Sequence, residues 1–217
     1  MPKEARPGSG EQAKQYALDQ LRQAILRGDM SPAQRLVENE LAEQYDVTRG
    51  SIRAALLELA AEGLVERIRN RGSRVRVVTV EEAVEITECR MALEGLCAAK
   101  AAEEATDAQL DGLTELGDAM SQAVANGDPL TYSDLNHQLH ARVRDISGQH
   151  TAVGLLERLN AQLVRHRFQL ALRPGRAQQS LSEHLAIVEA IRSRKPQEAE
   201  TAARAHLRSV IDVLRAD

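Results

Sequence analysis

From Val80 to the end of the chain the apolar residues recur every three or four positions and never alternate over a useful length. That periodicity leaves only an all-helical bundle for the stretch. Breaks at Thr106-Asp107, Gly127-Asp128-Pro129, Ser147-Gly148, Pro174-Gly175 and Lys195-Pro196 divide it into six helices of ordinary length. Thr106 and Ser147 are N-cap residue types, and Pro129 and Pro196 suit first helical positions. Phe168 is the only phenylalanine and tryptophan is absent, so leucine, alanine, valine and isoleucine must fill the core. Cys89 and Cys97 lie eight apart in the first of these helices, about 12 Å along its axis. That is too far for a disulfide, and both are expected as reduced core thiols.

The first 79 residues read differently. Residues 1–10 carry no apolar segment of signal-peptide type and are expected to form a disordered arm. No stretch approaches the roughly 18 apolar residues of a membrane span, so a cytoplasmic protein is expected. A helix over Glu11–Arg27 places Leu18, Leu21 and Ile25 on one face and stops at Gly28. A short helix follows over Glu38–Tyr45, with Leu41, Ala42 and Tyr45 together. Asp46-Val47 makes a tight connection, and Thr48 caps a third helix that ends at Gly63. In that helix Ile52, Ala55, Leu56 and Leu59 form the apolar stripe, while Arg49 and Arg53, four apart, share a different face. Leu64–Ile68 and Arg74–Val78 read as two β runs around a turn at Asn70-Arg71-Gly72-Ser73. In the second run Val75 and Val77 are expected to pack, with Arg74 and Arg76 on the basic face.

Helix, helix, short turn, polar-started helix and basic hairpin is the order of a winged helix-turn-helix. Two domains are therefore expected, a winged helix over residues 11–79 and a helical domain over 80–217. Charge is split between them. Residues 1–79 hold 13 Lys/Arg against 11 Asp/Glu, a balance of +2, and residues 80–217 hold 15 against 21, a balance of −6. Arg67, Arg69, Arg71, Arg74 and Arg76 follow one another with no acid between them. A solvated charged strand pair gives such a cluster, and so does anion binding at one end of an acidic body, for which nucleic acid is the commonest cause. Arg49 and Arg53 at the front of a helix can offer donors to guanine edges or phosphates in a major groove.

The run from Glu40 through Thr48-Arg49-Gly50-Ser51-Ile52-Arg53 to Leu56, followed by Glu62-Gly63-Leu64-Val65 and Asn70-Arg71-Gly72, resembles the DNA-binding domain of GntR-type bacterial transcription regulators without a gap. The resemblance implies operator contacts by Thr48, Arg49, Arg53 and Gly72. Ser51 in the same first turn and Arg71 at the wing tip complete the expected DNA-binding set. Many relatives have an arginine where this chain has Asn39, which implies a somewhat different operator; loss of DNA binding altogether, leaving a protein-interaction adaptor, is a further reading of that position. One winged helix reads too few base pairs for a genome, so a homodimer on a palindromic double-stranded operator is expected.

All six histidines lie beyond residue 80. Asn136 and His140 are four apart on one helix and can face one point. His184 and His206 are each embedded in apolar helical pattern. Convergence on a divalent metal such as zinc or nickel is one reading of these three histidines, and hydrogen-bonded core residues is the other. Leu135-Asn136-His137-Gln138-Leu139-His140, Glu183-His184-Leu185 and Ala203-Arg204-Ala205-His206-Leu207 are similar to the FCD effector domain of the FadR-like branch, and six helices match its VanR-type group. The resemblance implies a metal held by Asn136, His140, His184 and His206, with Asp134 as a runner-up ligand. Asparagine in place of the commoner aspartate leaves the ion's charge uncompensated, so a small carboxylate effector is expected. Arg90 is expected either to bind a second carboxylate of that effector or to pair with Glu94 at the surface. Arg165 and His166 are weaker pocket candidates. A ligand-responsive regulator, commonly a repressor, follows. The rival is a metal-dependent hydrolase with an accessory winged helix, for which Glu183 is expected to point off the ligand face.

Overall fold

The computed structural model describes residues 10–69, 71–163, 166, 170 and 173–216. Except for Gly10, the expected N-terminal arm lies outside the described residues, as do Asn70, Arg165 and Phe168. The chain forms two compact units that divide between Val78 and Thr79.

In the first unit, α1 spans Glu11–Arg27, α2 Glu38–Gln44 and α3 Arg49–Ala61. Leu18, Leu21 and Ile25 are buried on α1, and Ile52, Ala55, Leu56 and Leu59 on α3, so the two stripes meet across a helix–helix contact. Of the expected α2 face only Leu41 is buried. Three strands follow, β1 at Arg35–Leu36, β2 at Val65–Ile68 and β3 at Gly72–Val75, in the antiparallel order β1-β3-β2. The second wing strand therefore begins two residues earlier than the alternation suggested. Gly72 explains the shift: at φ 87 it turns the chain where a side chain would be strained, and pairing starts at once with Ile68 opposite Gly72. Pairing ends at Val65 opposite Val75, so Val75 is buried but Val77, beyond the ladder, is 40% exposed. The expected packing of Val77 is not found. β1 was invisible in sequence because two residues carry no periodicity.

The second unit is all-helical. Among the described residues it contains α4 (Val80–Glu104), α5 (Asp107–Ala125), α6 (Pro129–Ile146), α7 (His150–Gln162), α8 (Arg176–Arg192) and α9 (Pro196–Arg215). Thr106 caps α5 in a full capping box with Gln109, and Pro129 and Pro196 open α6 and α9. Ser147 is the exception. It ends α6, bonding Arg144 O at 2.6 Å, while α7 begins three residues later after Gly148 at φ 61. The long α4 packs against α6, α7, α8 and α9 and so serves as the bundle's axis. At Gly95 a Cβ would lie 3.1–3.2 Å from Arg204 and Glu200, so a glycine is what lets α9 approach α4 there. The core is aliphatic, with Leu113, Met120, Leu139 and Ile191 among its most buried members. Cys97 is buried in it, whereas Cys89 is exposed on α4 and is no core thiol.

Candidate functional sites: an arginine-bearing helix and a histidine centre

In the winged unit the sequence of α3 sets its own start. Thr48 lies outside the helix in extended conformation, and its Oγ1 accepts from Ser51 N at 3.1 Å. The Ser51 hydroxyl turns back to the same Oγ1 at 2.9 Å, and the residue is 7% exposed. Ser51 thus supports the cap and does not stand on the outer face, because the third residue after an N-cap sits over the cap's side chain. Arg49 and Arg53 do project outward, with side chains 60% and 55% exposed. Both reach one carboxylate. Glu38 Oε2 accepts from Arg49 Nε at 3.0 Å and from Arg53 Nη2 at 2.7 Å, and Oε1 accepts from Arg53 Nε at 3.1 Å. The bonds from Arg53, which outweigh the opposing effect of burial, together with the bond from Arg49 pull the Glu38 carboxyl down to about 2. Glu38 was not singled out in the sequence, since α2 and α3 meet only in three dimensions.

Arg71 and Gly72 lie exposed at the tip of the hairpin. Arg67 and Arg69 are exposed too, but Arg74 is tied to Glu66 at 2.7 Å across the β2–β3 pair. The basic character of the wing therefore concentrates toward its tip.

The second site is in the bundle. His140 from α6, His184 from α8 and His206 from α9 come together with ligand-capable nitrogens all within 4.8 Å of one another. His184 is wholly buried, and His206 is 5% exposed. His140 Nε2 and His184 Nε2 stand 3.2 Å apart. Nitrogens bound at about 2.0–2.1 Å to a tetrahedral ion are roughly 3.3 Å apart, so this spacing suits a shared cation. Asn136, one turn before His140, carries a buried Oδ1 for which no hydrogen-bond partner exists among the described residues. Asp134 is exposed and takes no part, and His137 and His150 are exposed as well. His166 is buried outside the cluster of three.

Each histidine of the three is held from behind at Nδ1. Glu94 Oε2 faces His140 Nδ1 at 3.0 Å, Glu183 Oε2 faces His206 Nδ1 at 2.8 Å, and Tyr132 Oη faces His184 Nδ1 at 3.0 Å. The two carboxylates are in turn held by arginines. Glu94 Oε1 accepts from Arg90 Nε at 3.0 Å and Nη2 at 2.8 Å, and Glu183 Oε2 accepts from Arg176 Nη2 at 3.3 Å. Arg176 also donates to Ser209 Oγ at 2.7 Å. Burial pushes the Glu94 carboxyl up, but the charge of Arg90 and the bonds to His140 and Arg90 outweigh it and hold Glu94 well below its ordinary range. Glu183 is lowered for the same reasons, through His206, Ser209 and Arg176. Burial and the neighbouring imidazoles depress His184 strongly, and burial depresses His206 against the opposing pull of Glu183.

Two expectations are corrected here. Arg90 does pair with Glu94, but in the interior, at 8% and 6% exposure, and the pair continues to His140. Glu183 does not point away from the cluster: it misses the face of His184 on its own helix and meets His206 on the next one. Arg176 and Tyr132 went unnoticed. Tyr132 had a signal, for Tyr132, Asn136 and His140 repeat every four residues on α6. Beside His140 lies a void of about 10 Å³ bordered by Glu94, Cys97, Leu139 and Arg144, room for a single water.

Comparison with known proteins places the two units that carry these sites in known families. Residues 13–75 match the bacterial regulatory proteins of the gntR family, and residues 85–209 match the FCD domain. The chain belongs to the GntR family. It is 30% identical to the HTH-type transcriptional repressor NanR of Cronobacter sakazakii, over 94% of this chain and 86% of that protein. It is 28% identical to the uncharacterized HTH-type transcriptional regulator YdhC of Bacillus subtilis, over 87% of this chain and 84% of the other. Among solved structures E. coli McbR/YncC superposes with a TM-score of 0.75 at 20% identity, covering 94% of this chain and 97% of that one. A GntR regulator from Rhodococcus sp. RHA1 superposes at 0.71 and 22%, over 94% and 97%. These two likenesses establish the shared fold. As a GntR-family member with an FCD domain, the protein is a ligand-responsive transcription regulator and not an enzyme, which removes the hydrolase reading.

Proposed function

We propose that this GntR-family regulator is a repressor that binds a palindromic operator as a homodimer. In this reading a divalent cation, zinc or nickel, lies between Asn136, His140, His184 and His206 and takes a small carboxylate effector. The observation that carries it is the cluster of three imidazole nitrogens beside the orphaned Asn136 Oδ1. A buried carbonyl oxygen without a donor is costly, and a cation relieves it. The nitrogen-rich donor set suits zinc and nickel and disfavours magnesium or calcium. When bound, the ion supplies positive charge and open coordination positions to an anion. Around it Glu94 and Glu183 are balanced by Arg90 and Arg176, so these four groups contribute no net charge and the ion's double charge still calls for an anionic effector. Arg90 acts on the effector by its field from within its pair with Glu94.

In the winged unit Arg49 and Arg53 lie in the major groove, Thr48 holds the helix start, and Arg71 with Gly72 brings the wing to the flanking backbone. Two copies supply the specificity that one reading head lacks. The protein acts in the cytoplasm, where the chromosome is; among the described residues no helix is long and apolar enough to cross a membrane. Selection of duplexes from a random pool by the full chain, followed by binding assays with zinc and a panel of organic acids, tests the whole reading. A palindromic site and a 5–150-fold change in operator affinity with a carboxylate, abolished by chelator, are expected. A single asymmetric half-site removes the dimer, and a response that persists in chelator removes the metal.

A further inference from the structure

The three Nδ1 contacts behind the histidine centre are not equivalent. Ionised Glu94 and Glu183 can only accept hydrogen bonds, so His140 and His206 must carry their protons on Nδ1 and present bare Nε2 atoms. Tyr132 is a hydroxyl, able to donate or to accept. His184 is therefore the one member of the cluster whose tautomer the protein leaves open. Its own Nε2 faces the bare Nε2 of His140 at 3.2 Å, a contact that needs something positive between two lone pairs unless one nitrogen carries a proton.

We propose that Glu94 and Glu183 are positioning residues that lock two imidazoles in the ligating tautomer, while Tyr132 lets His184 exchange between a proton-bridged and a ligating form. The proposal rests on the metal reading above. Without an ion, Tyr132 donates to His184 Nδ1, and the Nε2–H of His184 donates to His140 Nε2. With the site loaded, His184 carries its proton on Nδ1 and donates it to Tyr132 Oη, and the tyrosine hydrogen turns toward the side chain of Ser180 beside it. The proton count is unchanged, because one proton leaves Nε2 and one occupies Nδ1 of the same ring. No member of the cluster is thus left with opposed lone pairs or an orphaned donor in either state. Arg90 and Arg176 hold the carboxylates in place, the first through two bonds to Oε1 and the second through a longer contact shared with Ser209.

The test is ¹⁵N-histidine NMR of the full chain titrated with Zn²⁺, alongside zinc affinity by competition with a chelating dye. His140 and His206 are expected as Nδ1–H forms throughout, and His184 is expected to change from Nε2–H to Nδ1–H as zinc saturates. Glu183→Gln should weaken zinc about 10–100-fold with its circular dichroism retained. Tyr132→Phe should weaken it less, and zinc-free His184 should keep its Nε2–H form, held by the bare Nε2 of His140. A His184 already in the Nδ1–H form before zinc, or zinc affinities within twofold of the unsubstituted chain in both variants, overturns the proposal. His206→Ala separates the two readings. If it loses zinc while Glu183→Gln and Tyr132→Phe keep theirs, the metal centre stands and the positioning roles fall. If it binds zinc as well as the unsubstituted chain, or if that chain takes none, the metal reading falls and this one with it.

Discussion

The winged unit and the bundle each contain arginines clasped by a glutamate, yet the two clasps sit in opposite environments. Glu38 holds Arg49 and Arg53 at the surface, where both arginine side chains are more than half exposed. Glu94 holds Arg90 in the interior, with both side chains at or below 10% exposure, and passes the contact on to His140. Water screens the first pair and little screens the second. The first can open for a competing polyanion at small cost. The second cannot open without stranding a charge. The same chemistry is thus a releasable cover over the proposed reading surface in one unit and a fixed strut behind the proposed metal centre in the other.

The largest effect that would break this contrast comes from removing each glutamate. Glu94→Ala leaves the Arg90 guanidinium buried and unpaired and should cost about 3–5 kcal/mol of unfolding free energy. Glu38→Ala should change it by no more than about 1 kcal/mol. Urea unfolding of both variants measures the difference, and equal losses would sink the comparison. Next in size is DNA affinity. Arg49→Ala and Arg53→Ala should each weaken operator binding by about 1–3 kcal/mol in fluorescence anisotropy while leaving thermal stability unchanged. Unaltered affinity in both would mean that α3 is not the reading element.

Much of this division was legible in the chain itself. The winged unit announced itself through local order: a cap at Thr48, a stripe at Ile52, Ala55, Leu56 and Leu59, and a glycine that needs positive φ at the wing. Those signals depend on residues near one another in sequence, so they survive without tertiary information. The histidine centre was half legible. Asn136 and His140 are helix neighbours, but His184 and His206 meet them only through the packing of α8 and α9 onto α4. The roles of Glu38 and Glu183 were hidden for the same reason, because each reaches across to a different helix. Glu183 was even misdirected by the sequence argument, since adjacent residues on one helix diverge by about 100° while a partner helix can gather both. Strand limits in the wing failed at Val77, where alternation continues past the end of its pairing partner.

Acidification should separate the two units without any substitution. In metal-free protein His184 and His206 are depressed by burial, so they stay neutral in the folded state when their unfolded counterparts take up protons. Their contribution is present above the unfolded value of about 6.5 and is lost as pH falls below it toward the folded values. Glu38, held at about 2, stays ionised over this range, and the stability its clasp contributes begins to fall only once pH drops below the ordinary carboxylate value near 4.5. Between pH 7 and 5, hydrogen-exchange protection factors in α8 and α9 should fall while those in α1 and α3 hold. A parallel decline in both units would remove the environmental distinction.

The smallest effect is the most specific to the surface clasp. Glu38→Gln removes a carboxylate that competes with phosphate for Arg49 and Arg53, so binding to unrelated duplex DNA should tighten by less than about 1 kcal/mol. The gain should shrink as salt is raised, since the arginines then meet screened phosphates whether or not Glu38 is charged. Operator discrimination should fall, because the neutral amide holds the two guanidinium groups less firmly in the orientation that a base edge requires. Anisotropy titrations of operator and scrambled duplexes at several salt concentrations read both quantities. If operator and scrambled duplex tighten by the same factor, Glu38 only neutralises charge. If only the scrambled duplex tightens, the clasp also aims the side chains, and the exposed pair then shares with its buried counterpart the task of positioning a binding group.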